Sequence, residues 1–193
     1  ETAYTGTGAN ATVGHGLGVA PKFYVCKSRS NSGLDWQCYH ASLGATKFIK
    51  LNSTVAAGTS STVWNDTAPT STVFSLGSAL DANTSGATMV AYCFAEVDGF
   101  SKIGSYSGNG SADGPFVYCG FRPKYVMLKS TSNLREWFII DSSRNTYNVA
   151  NSYLRANTAS AEGTATMNDL VSNGFKLRSS DTAFNGSGET YIY

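Results

Sequence analysis

The sequence repeats itself once, and this repeat constrains the fold more than any other feature. The segment YTGTG at residues 4–8 returns as YSGNG at residues 106–110, about 102 positions later. A shift smaller by one residue relates Trp36 to Trp137. Such a change is expected where a loop, rather than a strand, differs in length. The chain is therefore a tandem duplication.

The period of the repeat predicts two modules, at residues 1–103 and 104–193. The first copy carries an apolar segment at residues 89–96, whereas the matching segment of the second copy stops at Tyr193. We therefore expect the second module to be truncated at its last strand and the chain to be an excerpt from a longer repeat array.

The truncated strand predicts an open sheet edge. Tyr191, Ile192 and Tyr193 begin this strand, and an incomplete edge exposes backbone groups that favour further pairing. We expect the edge to be completed either by more chain or by a neighbouring subunit, in the second case through strand addition between protomers.

Short β-prone segments separated by turn residues predict an all-β fold. Residues 22–27 and 124–129 are apolar on both alternating faces, which is typical of a central strand covered on both sides. Further strands are predicted about every 8–12 residues, one of them at residues 61–65. Residues 161–171 carry the best helical signal, and their glycine and threonines limit it to one turn. The pattern predicts two tandem antiparallel β-sandwich modules, jelly-roll or Greek-key-like, with the strand order left open.

The low charge argues against two classes of partner. Only 14% of the residues are charged and the formal net charge is +1, without the clustered Lys and Arg that nucleic-acid binding requires. No apolar run approaches a membrane-spanning length, so we expect neither nucleic-acid binding nor membrane insertion. The glycine-rich segments at residues 6–8 and 108–110 precede no predicted helix, which favours turns over a phosphate site, and we expect no cofactor.

The cysteines are predicted to be free core thiols. The four are Cys26, Cys38, Cys93 and Cys119. The first two stand where the second copy has Leu128 and Ile139, so these positions favour a small buried apolar group. Their spacing also fits a disulfide across a hairpin, which spacing alone cannot decide. The chain has no CxxC pair that would support a zinc site.

The sequence offers no convincing catalytic or metal-binding set. His15 and His40 are not repeated, and a lone histidine lacks the further ligands or the orienting partner that a site needs. A pair of carboxylates would be the route to glycoside hydrolysis. The candidates, which stand beside turn-forming residues, are Asp35, Asp98, Asp113, Glu136 and Asp141. We expect no catalytic and no metal-binding residues.

Three aromatic residues are candidate ligand or interface groups. Trp64, Tyr147 and Tyr153 lie in polar segments that differ between the copies, and exposed aromatics mark interfaces. Trp36 and Trp137 recur at a strand start in both copies, which favours a place in the core.

Several longer segments together resemble a known family. They are residues 106–110, 114–129, 137–148, 172–177 and 185–193 of the second copy and residues 91–104 of the first. These segments are similar to an uncharacterised domain that occurs in tandem in tail-fibre and other virion-associated proteins of tailed bacteriophages. The resemblance covers nearly the whole chain. It carries over no catalytic residues and implies a structural or adhesive part of a virion.

The leading expectation is therefore a non-enzymatic structural or adhesive virion component, such as a tail fibre or another extracellular appendage. Its partners would be further copies of itself or other virion proteins, and its loops would contact the host or other subunits. The alternative is a carbohydrate-binding module that recognises host-surface glycan. A polysaccharide-degrading enzyme is a third hypothesis.

Overall fold

The computed structural model describes residues 1–193 and consists largely of antiparallel strands. Strands hold 39% of the residues and helices 6%, which confirms the predicted all-β class. The chain divides into two compact units. Unit 1 comprises Glu1–Asn52 and Ala57–Glu96, and unit 2 comprises Ser53–Ala56 and Val97–Tyr193. None of the helices is long and apolar enough to span a bilayer.

Unit 1 contains eight strands and two one-turn helices. The strands are β1 (Thr2–Thr5), β2 (Ala11–Gly14), β3 (Phe23–Ser28), β4 (Gln37–His40), β5 (Lys47–Lys50), β6 (Gly58–Thr59), β7 (Val73–Leu76) and β8 (Thr88–Phe94). The helices are α1 (Ser61–Trp64) and α2 (Leu80–Asn83). One sheet has the order β1-β8-β3-β4-β5-β6, and β2 pairs with β7 in a second.

Unit 2 contains eight strands and one short helix. The strands are β9 (Ser105–Ser107), β10 (Phe116–Tyr118), β11 (Tyr125–Ser130), β12 (Phe138–Asp141), β13 (Ala150–Arg155), β14 (Gly163–Val171), β15 (Gly174–Leu177) and β16 (Thr190–Ile192). The helix is α3 (Thr182–Asn185). All eight strands form one antiparallel sheet of order β10-β15-β14-β13-β12-β11-β16-β9.

The two units share one strand order. When β9 is matched to β1, β10 to β2 and so on, the sheet of unit 2 reproduces the pairings of unit 1 except at one point. Unit 2 joins β14 to β15, whereas unit 1 has no ladder between β6 and β7. Strand β14 has nine residues, but β6 has two and is followed by α1. The repeat in sequence is therefore a repeat in topology, with one local replacement.

Residues 61–65, predicted as a strand, form α1 instead. The Ser60 hydroxyl caps the helix by accepting the Thr62 N–H at 3.2 Å, and Asn65 ends it in the left-handed conformation with φ 52°. The single turn buries Val63 and Trp64. A short apolar segment fits either a strand or a buried helical turn, and here the Ser60 cap favours the helical turn.

Residues 161–171, the best helical candidate, lie mostly in β14. This strand pairs with β13 on one side and β15 on the other. Its threonines and valine are β-prone, and the two ladders outweigh the weak helical preference. The helical prediction for this segment is wrong.

The C-terminal strand is not the open edge that the sequence predicts for Tyr191, Ile192 and Tyr193. Strand β16 lies between β11 and β9, so residues 191 and 192 have partners on both sides. Both of these side chains are buried, and Tyr193 exchanges backbone hydrogen bonds with Gly104. The prediction is wrong for these residues because the first strand of the unit covers their outer side.

A buried asparagine closes the N-terminal loop of unit 1. Asn83 is 1% exposed, and its Oδ1 accepts the Thr7 N–H at 2.7 Å. Its Nδ2 donates to the carbonyl oxygens of Ala9 and Gly77, each at 2.7 Å. A buried amide stays in the core only when its donors and acceptor are paired, so this side chain fixes the loop.

Unit 2 repeats this arrangement with Asn185. Its Oδ1 accepts the Asn109 N–H at 2.9 Å, and its Nδ2 donates to Ser111 O at 2.8 Å and Ser179 O at 2.7 Å. Each asparagine is thus the polar anchor of its unit, while the glycine three residues later adopts a positive φ.

Candidate functional site

Strand β10 carries two exposed aromatic side chains that its counterpart in unit 1 lacks. It stands at the end of the sheet of unit 2 and pairs only with β15. Its central residue, Val117, is 5% exposed and packs into the core, whereas Phe116 is 47% and Tyr118 64% exposed. Two residues apart on a strand, these side chains lie on the same face, about 7 Å from each other along the strand.

Both rings lie beside glycines. A Cβ placed on Gly174, the partner of Tyr118 in the ladder, would stand 3.1 Å from Cε2 of Phe116. A Cβ placed on Gly120 would stand 3.6 Å from the hydroxyl oxygen of Tyr118. The absence of a side chain at Gly174 leaves room for the Phe116 ring close to the backbone, whereas a Cβ on Gly120 would make only an ordinary contact with Tyr118. The result is a small aromatic surface at the sheet edge.

Charged groups border this surface. Lys176, the ladder partner of Phe116, places its Nζ 2.7 Å from Asp113 Oδ1 and 2.8 Å from the Gly114 carbonyl oxygen. The hydrogen bond and charge of this lysine lower the pKa of Asp113. The aromatic surface therefore ends in a solvent-exposed ion pair, a combination of ring and polar groups suited to recognition.

The equivalent positions of unit 1 are not aromatic. Val13 pairs with Phe74 as Val117 pairs with Phe175, which places Thr12 at the position of Phe116 and Gly14 at that of Tyr118. Because the ring pair is confined to one copy, the shared framework does not require it.

Trp64, the first predicted ligand aromatic, cannot serve as one. It is fully buried, and its indole N–H donates to the Lys47 carbonyl oxygen at 3.1 Å. Its ring packs edge-on against Tyr24 at a centroid distance of 4.9 Å. Helix α1 turns the side chain into the core of unit 1, so the expectation of exposure is wrong.

The other two predicted aromatics differ in exposure. Tyr147 is 85% exposed in the loop that follows β12. Tyr153 is half-buried on β13, where its ring lies edge-on to Phe138 at 5.2 Å and its hydroxyl accepts from Arg155 at 3.2 Å. Tyr147 lies in a loop and Tyr153 on β13, so neither residue belongs to β10.

The histidines hold backbone groups. His15 Nε2 lies 3.1 Å from the Thr70 carbonyl oxygen, and its Nδ1 accepts the Leu17 N–H at 3.2 Å. His40 Nδ1 accepts the Ser42 N–H at 3.2 Å. Both side chains are buried, and no group of three or more His, Cys, Asp or Glu is placed to share a metal ion.

The candidate carboxylates serve mainly as ion-pair and turn groups. Asp35 bonds to Lys50, and Asp141 accepts the Arg144 N–H at 2.8 Å; these contacts lower the pKa of each carboxyl. A general acid needs the opposite, a raised pKa. The remaining candidates are the exposed Asp98, the ion-paired Asp113, and Glu136, which bonds to the Asn157 amide.

All four cysteines are free, as predicted. Burial raises the pKa of Cys26 to about 12 and that of Cys93 to about 11, which suppresses the reactive thiolate. Cys38 and Cys119 are also buried, and burial raises their pKa values too. These thiols fill space in the sheets rather than offering reactive groups.

The sequence contained one signal for the β10 surface. The segment Phe116-Val-Tyr118 follows Gly-Pro and precedes Cys-Gly, which predicts a short strand with two apolar faces. A buried strand gives the same pattern, and only the position of β10 at the sheet end leaves one face exposed.

Comparison with known proteins identifies the family but no activity. No curated protein and no solved structure shows significant similarity to the chain. One family profile, described as a domain of unknown function, matches residues 2–193, which is nearly the full length. The chain therefore belongs to the family of the domain of unknown function DUF7483.

Proposed function

We propose that this chain is a non-enzymatic structural or adhesive component of a bacteriophage virion, such as a tail fibre or another extracellular appendage. The observation that carries the proposal is the reuse of one internal framework with different surfaces. Both units contain the same strand order and the same buried asparagine anchor, whereas the β10 rings and the α1 segment belong to one unit each. A repeated scaffold with copy-specific surfaces suits assembly and recognition.

We also infer that each unit is a β-sandwich-like module, close in organisation to jelly-roll and Greek-key folds. The support is the single core of unit 2, to which all eight strands and α3 contribute. A sheet whose strands all contact one core must curl over itself, as sandwiches and barrels do. The corresponding modules at residues 1–103 and 104–193 would be the repeat units of the assembly.

The absence of enzymatic activity is part of the proposal. The carboxylates with lowered pKa values are held by cations and turn amides, and both histidines bind backbone groups. Such arrangements are typical of structural side chains. The proposed partners are further copies of the chain or other virion proteins, with no nucleic acid, membrane insertion or cofactor.

Labelling of the native particle tests this function. Antibodies against the purified chain, applied to intact phage particles and viewed by electron microscopy, are expected to label one virion structure at regular positions. Mass spectrometry of purified particles should recover the same chain in a fixed ratio to the other virion proteins. Recovery only from the soluble fraction of infected cells would overturn the proposal.

Binding of host-surface glycan is the second candidate, and the exposed rings of Phe116 and Tyr118 favour it. Ligand sites commonly combine aromatic side chains with a small number of placed polar or charged groups. Glycan-array binding that is lost in Phe116→Ala/Tyr118→Ala but kept in Tyr147→Ala would support this candidate. Release of products from a polysaccharide would instead indicate a degrading enzyme.

A further inference from the structure

The outer backbone edge of β10 is open. In the ladder with β15, Leu177 N–H donates to Pro115 O at 3.0 Å and Cys119 N–H donates to Asn173 O at 2.9 Å. Inward hydrogen bonds alternate along an antiparallel strand, so residues 115, 117 and 119 face β15. The N–H and C=O groups of Phe116 and Tyr118 therefore point away from the sheet, where no strand of this chain lies.

We propose that β10 pairs in antiparallel orientation with β10 of a second copy of the chain, about a two-fold axis beside Val117. This pairing joins the sheets of two copies into one. It rests on the proposed role in assembly and names the surface through which two copies meet.

The positions of the free backbone groups along β10 determine how the two strands align. Only residues 116 and 118 direct hydrogen-bonding groups outwards, so a good pairing sets outward residues against each other. Placing Phe116 of one copy opposite Tyr118 of the other uses all four residues and gives two complete hydrogen-bonded pairs. A register centred on Phe116 or on Tyr118 would complete only one pair. The three-residue strand is thus complementary to itself.

The side chains favour the same register. Phe116 and Tyr118 lie on one face, so each ring would meet the unlike ring of the second copy as a directly opposite cross-strand neighbour. Aromatic cross-strand pairs stabilise antiparallel sheets, and two such pairs would form. Phe116 is 47% and Tyr118 64% exposed in the single chain, and the contact would remove part of this apolar surface from water.

Charge around the strand selects the antiparallel direction. Asp113 precedes β10 and has a side chain that is 84% exposed, whereas Arg122 and Lys124 follow the strand and are exposed. Antiparallel pairing sets the acidic end of one strand beside the basic end of the other. Parallel pairing would place like charges together, which is unfavourable.

Pairing through this edge is expected to stop at a dimer. The corresponding strand of unit 1 presents Thr12 and Gly14 instead of rings. One β10 edge in each chain, related to that of its copy by a two-fold axis, closes after two copies. The short strand buries less area than a standard protein interface, so we expect a dissociation constant in the micromolar range or weaker.

Sedimentation equilibrium of the purified chain in reductant is the first test. From about 10 µM to 1 mM, the mass is expected to rise from 20.4 kDa towards that of a dimer. Phe116→Lys/Tyr118→Lys is expected to stay monomeric, because it places lysines opposite lysines. Tyr147→Lys, which alters a more exposed ring away from the edge, is the matched control and should dimerise like the wild type.

A charge exchange tests the register itself. Phe116→Glu/Tyr118→Glu should also be monomeric alone, and mixing it with the double-lysine variant should restore a 1:1 heterodimer because each lysine then meets a glutamate. Circular dichroism of each variant checks the fold. The proposal is overturned by a wild type that remains monomeric at 1 mM, by dimerisation of the double-lysine variant, or by no heterodimer on mixing.

Two outcomes point to other uses of the surface. Loss of dimerisation in Tyr125→Lys would assign the contact to β11, another strand with an exposed tyrosine, and would overturn the β10 pairing. Glycan binding by a chain that stays monomeric would overturn it as well and favour the sugar-binding candidate. Labelling of the virion is independent of these results, so the assembly role and the pairing edge can fail separately.

Discussion

At the scale of single residues, the least usual group is the buried Lys129. Its side chain is fully buried, and Nζ donates to the carbonyl oxygens of Thr54 at 3.1 Å and Ser130 at 2.9 Å. Burial disfavours the ammonium and lowers the pKa of Lys129 to about 8. An unfolded lysine titrates near pH 10.4. The folded state therefore binds this proton less tightly, and its cost to stability is full below pH 8 and relieved as the pH rises towards 10.4.

Comparison with Lys129→Met makes the pH-dependent effect of this lysine on stability measurable. The unfolding free energy of the wild type minus that of the variant is expected to rise by about 1–3 kcal/mol between pH 7 and pH 10. The cysteines and tyrosines titrate in the same range, but they are common to both proteins and cancel in the difference. Urea unfolding in reductant at pH 7, 8, 9 and 10 provides the values. A difference that does not change with pH would contradict the lowered pKa.

The buried Asn185 is the second residue whose role can be measured. Asn185→Ala leaves the Asn109 N–H and the carbonyl oxygens of Ser111 and Ser179 without this partner. We expect a loss of about 3 kcal/mol or more in unfolding free energy, because each buried unpaired group costs about 1–3 kcal/mol. Asn10→Ala, which removes an exposed amide, is the control and should stay within about 0.5 kcal/mol of the wild type. Equal losses in both variants would refute the anchor role.

At the scale of elements, close backbone contact explains why the Gly-x-Gly turn appears in both units. A Cβ on Gly108 would stand 2.2 Å from Gly186 O, and one on Gly6 would stand 2.0 Å from Thr84 O. Gly108→Ala is therefore expected to destabilise unit 2 by about 2 kcal/mol or more, since backbone must move. Gly33→Ala meets no atom within 4 Å and should change little. Thermal unfolding distinguishes the two, and a tolerated Gly108→Ala would show that the turn can shift.

Sequence patterns predicted the shared strands better than the copy-specific elements. The double-sided apolar segment of β3 is buried as expected, because it lies between β4 and β8. Trp137 is buried as predicted, but Trp36 is 36% exposed, so a repeated aromatic need not occupy equivalent surroundings. Helix α1 was not predicted because its residues have a strand preference, which the Ser60 cap outweighs in the structure. The β10 surface was missed because apolar alternation does not reveal which strand ends a sheet.

At the scale of the whole molecule, each compact unit is built from two separate segments of the chain. Ser53–Ala56 lies in sequence between the two segments of unit 1 but belongs to unit 2, where Thr54 O accepts hydrogen bonds from both the Lys129 ammonium and the Arg135 N–H. The division by repeat and the division by packing thus differ at residues 53–56 and at residues 97–103. A cut at the repeat boundary would remove an acceptor that the buried lysine uses.

The fragment 97–193 tests this interleaving through one side chain. Without Thr54, Lys129 loses a hydrogen-bond acceptor and gains solvent, so its pKa is expected to return from about 8 towards the ordinary 10.4. The ¹³Cε chemical shift of this lysine, followed by NMR against pH in the fragment and in the full chain, reports the pKa directly. Lys129→Met identifies the resonance, and ¹H–¹⁵N spectra check that the fragment folds. A folded fragment that keeps a pKa near 8 would mean that residues 97–193 bury this lysine without Ser53–Ala56, and that this segment only covers a surface that is already closed.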